Sequence, residues 1–167
     1  MRTRTLWLLS VLATAVVVAV TVLVTPVHVE RPVAATAGPA VSPTTRALAV
    51  LRAWDRRRAV AWAHDDPAAL RALYIAGSQT GRRDVAMLRA YHRRALRVTT
   101  MQRQVLAVHV RVHVPRAMTL LVTDRLVEGR VTGRGERLVL PRSRPATHRL
   151  VLRRTTTGWR VVEVYDA

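Results

Sequence analysis

The chain contains no cysteine, no lysine, no asparagine and no phenylalanine, and Ile75 is its sole isoleucine. Without cysteine there is no disulfide framework, no thiolate zinc site, no thiol nucleophile and no lipoprotein anchor. Without lysine, all 28 basic residues are arginine. Carboxylates are few, 10 in 167 residues, which leaves a formal charge of +18. Aromatic residues make up only 4%. Ala, Val, Leu, Arg, Thr and Pro fill the space instead, the residues that GC-rich codons supply, so part of the basic excess reflects coding bias. Half the residues are hydrophobic, which excludes a disordered basic tail. The length allows one ordinary domain plus a short extra segment.

Residues 6–24, LWLLSVLATAVVVAVTVLV, carry no charge. At about 1.5 Å per residue, a helix of this length just covers a hydrocarbon core of roughly 30 Å. Trp7 suits the interface, and Arg2 and Arg4 precede the run while Glu30 and Arg31 cancel after it. The positive-inside rule then predicts residues 1–5 as a cytoplasmic stub, 6–24 as a transmembrane anchor and everything beyond as extracytoplasmic. The alternative is a secreted protein cleaved near Ala37, after the small-x-small triplet Ala35-Thr36-Ala37. Residues 25–43 hold four prolines among small residues and predict an extended tether.

Beyond the tether, hydrophobic spacing changes from helical to alternating. Ser42-Pro43 offers an N-cap followed by an N1 proline. Ala47, Val50, Leu51, Trp54, Ala61 and Trp62 then fall on one stripe of a long helix. Asp66-Pro67 repeats the cap signal for a short helix ending before Gly77, and Gly77–Gly81 is expected to be a loop. A third helix is expected from about Arg83 to Leu96, with Val85, Leu88, His92, Ala95 and Leu96 inward and Asp84 favouring its positive end. Val108, Val110, Val112 and Val114 alternate with His109, Arg111 and His113 as one half-buried strand. Further strands are expected over 118–127, 138–140, 148–154 and 159–165, with a loose hairpin around Gly129, Gly133 and Gly135. Three helices packed on a curved antiparallel sheet of four to five strands make an α+β domain over residues 44–167.

The order of these elements, with the segment DDPAAL at 65–70 and the closing strand GWRVVEVYDA at 158–167, resembles the NTF2-like fold, also described as SnoaL-like or cystatin-like. The resemblance is one of layout over about residues 44–167 rather than of a signature. It implies a cone with a pocket at the open end, in a family that includes enzymes and many non-catalytic accessory domains. Such enzymes use pocket-facing Asp, His or Tyr groups. It also implies dimerisation through the sheet.

Candidate chemistry is thin. Asp124 shares a strand face with Leu120 and Val122, where desolvation would raise its pKa and suit it as a base, with His92 or Tyr74 assisting. Trp54, Tyr74, Leu88 and Asp124 are the expected pocket residues, and His109, Arg111 and His113 the expected partner surface. His109 and His113 stand roughly 13 Å apart along a strand, too far to share one metal. No metal-ligand motif, phosphate loop or nucleophile elbow occurs, and no cofactor is expected. The arginines spread evenly, 12 against 4 acids over residues 46–97 and 13 against 5 over 98–167, which argues against sequence-specific nucleic-acid recognition. The sequence therefore predicts a membrane-anchored, non-catalytic accessory domain that binds a partner protein, an anionic envelope polymer or an apolar ligand. The alternatives are a SnoaL-like acid–base enzyme and an electrostatic binder of polyanions including DNA.

Overall fold

In the computed structural model, residues 41–133 and 135–167 are described. The expected anchor, most of the tether and the cleavage site at Ala37 lie outside them. Among the described residues, no helix is long and apolar enough to cross a membrane. The described residues fall in one compact unit, Gly38–Ala167, with a hydrophobic core of its own, as an independently folding domain requires.

Among the described residues, three helices precede the sheet. Helix α1 spans Pro43–Ala63, α2 Pro67–Ala72 and α3 Gln79–Arg93. The first two begin as their Ser-Pro and Asp-Pro signals dictate. The Ser42 hydroxyl accepts from the Thr45 N–H, and the Asp66 carboxylate from those of Ala68 and Ala69. Helix α3 begins four residues earlier than expected, because Ser78 caps it by accepting from Gly81 N–H at 3.0 Å. Gly81 is thus helical. Its lack of a side chain serves packing: a Cβ there would come within 2.6 Å of the Tyr74 ring.

Five antiparallel strands follow: β1 Arg97–Val114, β2 Ala117–Gly133, β3 Glu136–Val139, β4 Ala146–Thr155 and β5 Gly158–Asp166. The order is β1-β2-β4-β5, with β3 pairing the far end of β2. Strand β1 starts eleven residues before the valine alternation, and β2 continues through Gly129 rather than turning there. Both were hidden by irregular register. Thr99, Leu106 and Arg111 on β1, and Val127 on β2, are skipped in the pairing. Each is an extra residue that bends and twists the ladder, which curves the sheet and breaks the two-residue period.

One face of this curve carries the core. Leu120 lies opposite both Val110 and Leu150, Leu150 opposite Val164, and Met118 opposite Leu152, which in turn faces Val161. Leu51, Trp54 and Trp62 of α1, Leu70 of α2 and Val85 and Leu88 of α3 complete the buried cluster. The backbone of Leu73–Ile75 closes part of the β5 edge by exchanging hydrogen bonds with Val161.

The skipped Arg111 also alters the outer surface. His109 pairs with Leu121, whereas His113 pairs with the buried Met118, so the two histidines belong to opposite faces. His109, Arg111 and His113 are all exposed, but they do not form the single surface that simple alternation predicts. For the same reason Val112 and Val114 are each 47% exposed rather than half-buried like Val108 and Val110.

The sheet holds α3 by its positive end. The Glu163 carboxylate on β5 accepts from the Gln79 N–H at 2.8 Å, the Thr80 N–H at 2.7 Å and the Thr80 hydroxyl. Burial alone would raise its pKa, but the Thr80 hydroxyl and these two amides reverse that, and the carboxyl is held below its ordinary value. A carboxyl lowered on folding stabilises fully above its unfolded pKa, about 4.3, and loses that contribution as pH falls through the folded value. Glu163→Gln should therefore cost roughly 0.5–1 kcal/mol at pH 7 by denaturant titration. The difference from the parent should disappear in acid below that window; a gap that persists there would show that the charge is not responsible.

Candidate functional site

An arginine set between tryptophans on an apolar stripe needs an acid, and α1 contains one such arginine. Trp54, Arg58 and Trp62 are spaced by four and share the inward stripe. Asp84 meets Arg58 from α3, only 5% exposed. Its Oδ1 accepts from Arg58 Nη2 at 2.5 Å and from Trp62 Nε1 at 3.2 Å. Its Oδ2 accepts from Arg58 Nε and from the Tyr74 hydroxyl, both at 2.7 Å. The guanidinium binds the carboxylate in the bidentate manner that favours arginine over lysine. Arg58 also reaches Met101 Sδ on β1 at 3.4 Å and lies 5.8 Å from the Trp62 ring centroid. Burial alone would lower the Arg58 pKa, but the hydrogen bond and charge of Asp84 hold it above its ordinary value. Burial, then the Asp84 charge, raises that of Tyr74, so this phenol keeps its proton.

The network forms one wall of a cleft of ≈ 1010 Å³ bounded by α1, α3 and the concave face of the sheet. Trp54, Tyr74 and Asp124 border it; Leu88 is buried in the core and does not. Asp124 stands on the core face beside Val105 and is ion-paired with Arg103. His92 is not inward as the spacing suggested. Its side chain is 70% exposed at the end of α3, paired with Asp65. The expected trio of Asp124, Tyr74 and His92 is therefore not assembled: one acid is paired with an arginine, the phenol is committed to Asp84, and the imidazole is outside the cleft.

Other groups occupy the cleft that sequence reasoning passed over. Asp55, half-buried on α1, has a raised pKa: burial dominates, the attraction of Arg103 and Arg58 offsets part of it, and the charge of Asp124 adds to it. His148 on β4 also lines the cleft, and its Nδ1 has no hydrogen-bond partner among the described residues, with Asp166 at 3.4 Å. Asp84 lies in the second turn of α3 rather than at its start, so it pairs with Arg58 instead of the helix dipole. The missed signal was the four-residue spacing of Trp54, Arg58 and Trp62, which puts a charge on an apolar stripe. Among the described residues, no group of three or more His, Asp or Glu could hold a metal ion.

No family model matches the chain, and no curated protein matches it. Solved structures do resemble it. The intermembrane-space region of the chloroplast protein ARC6 aligns at a TM-score of 0.52 and 12% identity, covering 76% of this chain and 99% of that one. Aln2 from a Streptomyces species aligns at 0.49 and 17% identity, covering 75% and 93%. An NTF2-like protein of unknown function in nutrient uptake from Rhodospirillum rubrum aligns at 0.42 and 16% identity, covering 70% and 98%. At these identities the likeness concerns fold alone.

The Asp84 network makes a sharp prediction. Asp84→Asn leaves the Arg58 guanidinium buried without a counter-charge, which should cost about 3–5 kcal/mol in denaturant titration. Replacing both, as Arg58→Met with Asp84→Asn, should recover a substantial part of that loss. Equal losses for the single and double variants would mean that the ion pair is not what the fold depends on. With three helices on a curved five-stranded antiparallel sheet and a cleft on its concave side, the chain has an architecture consistent with the NTF2-like cone.

Proposed function

We propose that residues 41–167 are the ligand-binding head of a membrane-anchored, extracytoplasmic accessory protein, without catalytic activity. The supporting observation is the cleft itself. It is at the upper end of the size range of small-molecule sites and is floored by apolar side chains including Leu51, Trp54 and Leu150. Asp124, meanwhile, is tied to Arg103, and the Tyr74 hydroxyl to Asp84. In this reading the uncharged run at 6–24 holds the chain in the membrane, the proline-rich tether spaces the head from it, and the head faces envelope components. An envelope protein or anionic polymer, and a second copy packed against the sheet, are further proposed partners.

One observation favours a second reading. Asp55 is a half-buried acid in the cleft, with a raised pKa and Asp124 nearby, the environment a general base requires. An acid–base enzyme would use Asp55 rather than the Asp124, Tyr74 and His92 set. The two readings diverge on one variant. For a binding head, Asp55→Asn of the unit Gly38–Ala167 should still take up the neutral fluorescent probe N-phenyl-1-naphthylamine, and Val105→Trp should exclude it. A group whose pKa is raised on folding destabilises its charged form. Asp55→Asn should therefore be more stable than the parent at pH 7, with the gap closing in acid. Failure of the parent to bind the probe would sink the binding reading. Turnover of a carbonyl or epoxide substrate that Asp55→Asn abolishes would establish the enzyme.

The location has its own test. Protease added to intact cells expressing the full chain should digest residues 41–167 while the anchor stays with the membrane fraction. A chain protected until lysis and recovered in the cytosol would overturn it.

A further inference from the structure

The charges of the cleft are unbalanced, and the imbalance has a direction. Among the described residues, seven arginines and three aspartates border it. Two of the aspartates are matched internally, Asp84 by Arg58 and Asp124 by Arg103. Arg125 is occupied differently, its Nε donating to Gln104 Oε1 at 3.0 Å. Arg52 and Arg56 on α1, Arg83 on α3 and Arg142 after β3 remain, and among the described residues none of these four makes an ion pair or a side-chain hydrogen bond. Among the described residues of the lining, Asp55 is the single carboxylate left to oppose them.

Depth separates the two kinds of lining. Arg52, Arg56, Arg83 and Arg142 are exposed, whereas Leu51, Trp54 and Leu150 are buried and Met101, Val105 and Val164 half-buried. The cleft therefore has a cationic mouth over an apolar floor. Helical spacing places Arg52 and Arg56 on one ridge of α1, and Arg83 comes from α3, a different wall. Guanidinium groups on two walls can grip one anionic head with several charge-assisted hydrogen bonds while an apolar body passes beneath. A neutral apolar ligand would leave the mouth unused, and a small inorganic anion would leave the floor wet.

We propose that the cleft takes an amphipathic anion: a single acidic head, carboxylate or phosphate, held by Arg52, Arg56, Arg83 and Arg142, on an apolar tail seated against Leu51, Trp54 and Leu150. This deepens the proposed function and rests on the cleft being a ligand site. The shared chemistry could come from a free fatty acid or from a lipid phosphate, and two probes separate them.

The test titrates the unit Gly38–Ala167 calorimetrically with dodecanoate, dodecyl phosphate and dodecanol, each below its aggregation concentration, at constant salt. At least one anion should bind tenfold or more tightly than dodecanol, and the tighter anion identifies the head. Arg52→Gln with Arg56→Gln should weaken that anion at least fivefold and leave dodecanol unchanged. Arg71→Gln with Arg89→Gln, which removes the same charge from α2 and the outer side of α3, should leave all three unchanged. Dodecanol binding as tightly as the anions would overturn the ligand class while sparing the binding site. A loss in the Arg71/Arg89 variant equal to that in the Arg52/Arg56 variant would overturn the assigned mouth, since overall charge would then be the attractant. Binding of none of the three would remove the ligand site as well.

Discussion

The architecture turns on one buried carboxylate. Asp84 receives four hydrogen bonds from three side chains, two of them on α1 and the third, Tyr74, at the end of the α2 segment. Through Arg58 it also reaches β1 at Met101. A single group thereby fixes the mutual position of all three helices and the sheet. Desolvating an arginine and an aspartate is expensive, and the arrangement persists because the donors of Arg58, Trp62 and Tyr74 satisfy the carboxylate completely. Edge-on ring packing extends this rigidity outward, Trp54 against Tyr74 and Trp62 against Tyr91.

That rigidity shapes the cleft. The network forms one of its walls, so the apolar floor and the arginine mouth are carried by elements that cannot shift independently. The division of labour among the carboxylates follows. Asp84 serves structure, Asp124 is held by Arg103, and Asp55 stands in the opening with its charge disfavoured by burial. A composition short of acids leaves few carboxylates to neutralise the arginines, and at the cleft the local surplus acquires an orientation that counting along the chain does not show.

Much of the fold was legible because its signals are local. Ser42-Pro43 and Asp66-Pro67 announce the first two helices, and the stripe from Ala47 to Trp62 is buried where the period placed it. What escaped was non-local. The pairing of Arg58 has no local signal because its partner is 26 residues away. Gly81 looked like a loop residue because the ring that demands it belongs to Tyr74. The first eleven residues of β1 do not alternate because extra residues intervene. At the site, Trp54, Tyr74 and Asp124 border the cleft, but His92 lies outside it, paired with Asp65, a contact 27 residues away that a helical period does not encode.

The skipped residues of β1 and β2 do more than bend the ladder. An edge strand 18 residues long would ordinarily be an inviting template for another chain. Three interruptions divide its free hydrogen-bonding groups into short stretches that no straight strand can match continuously. They also lock the alignment of the hairpin, because sliding by one residue would misplace every interruption at once. The same irregularities that concealed the strand in the sequence thus guard the protein against mispaired and fibrillar association.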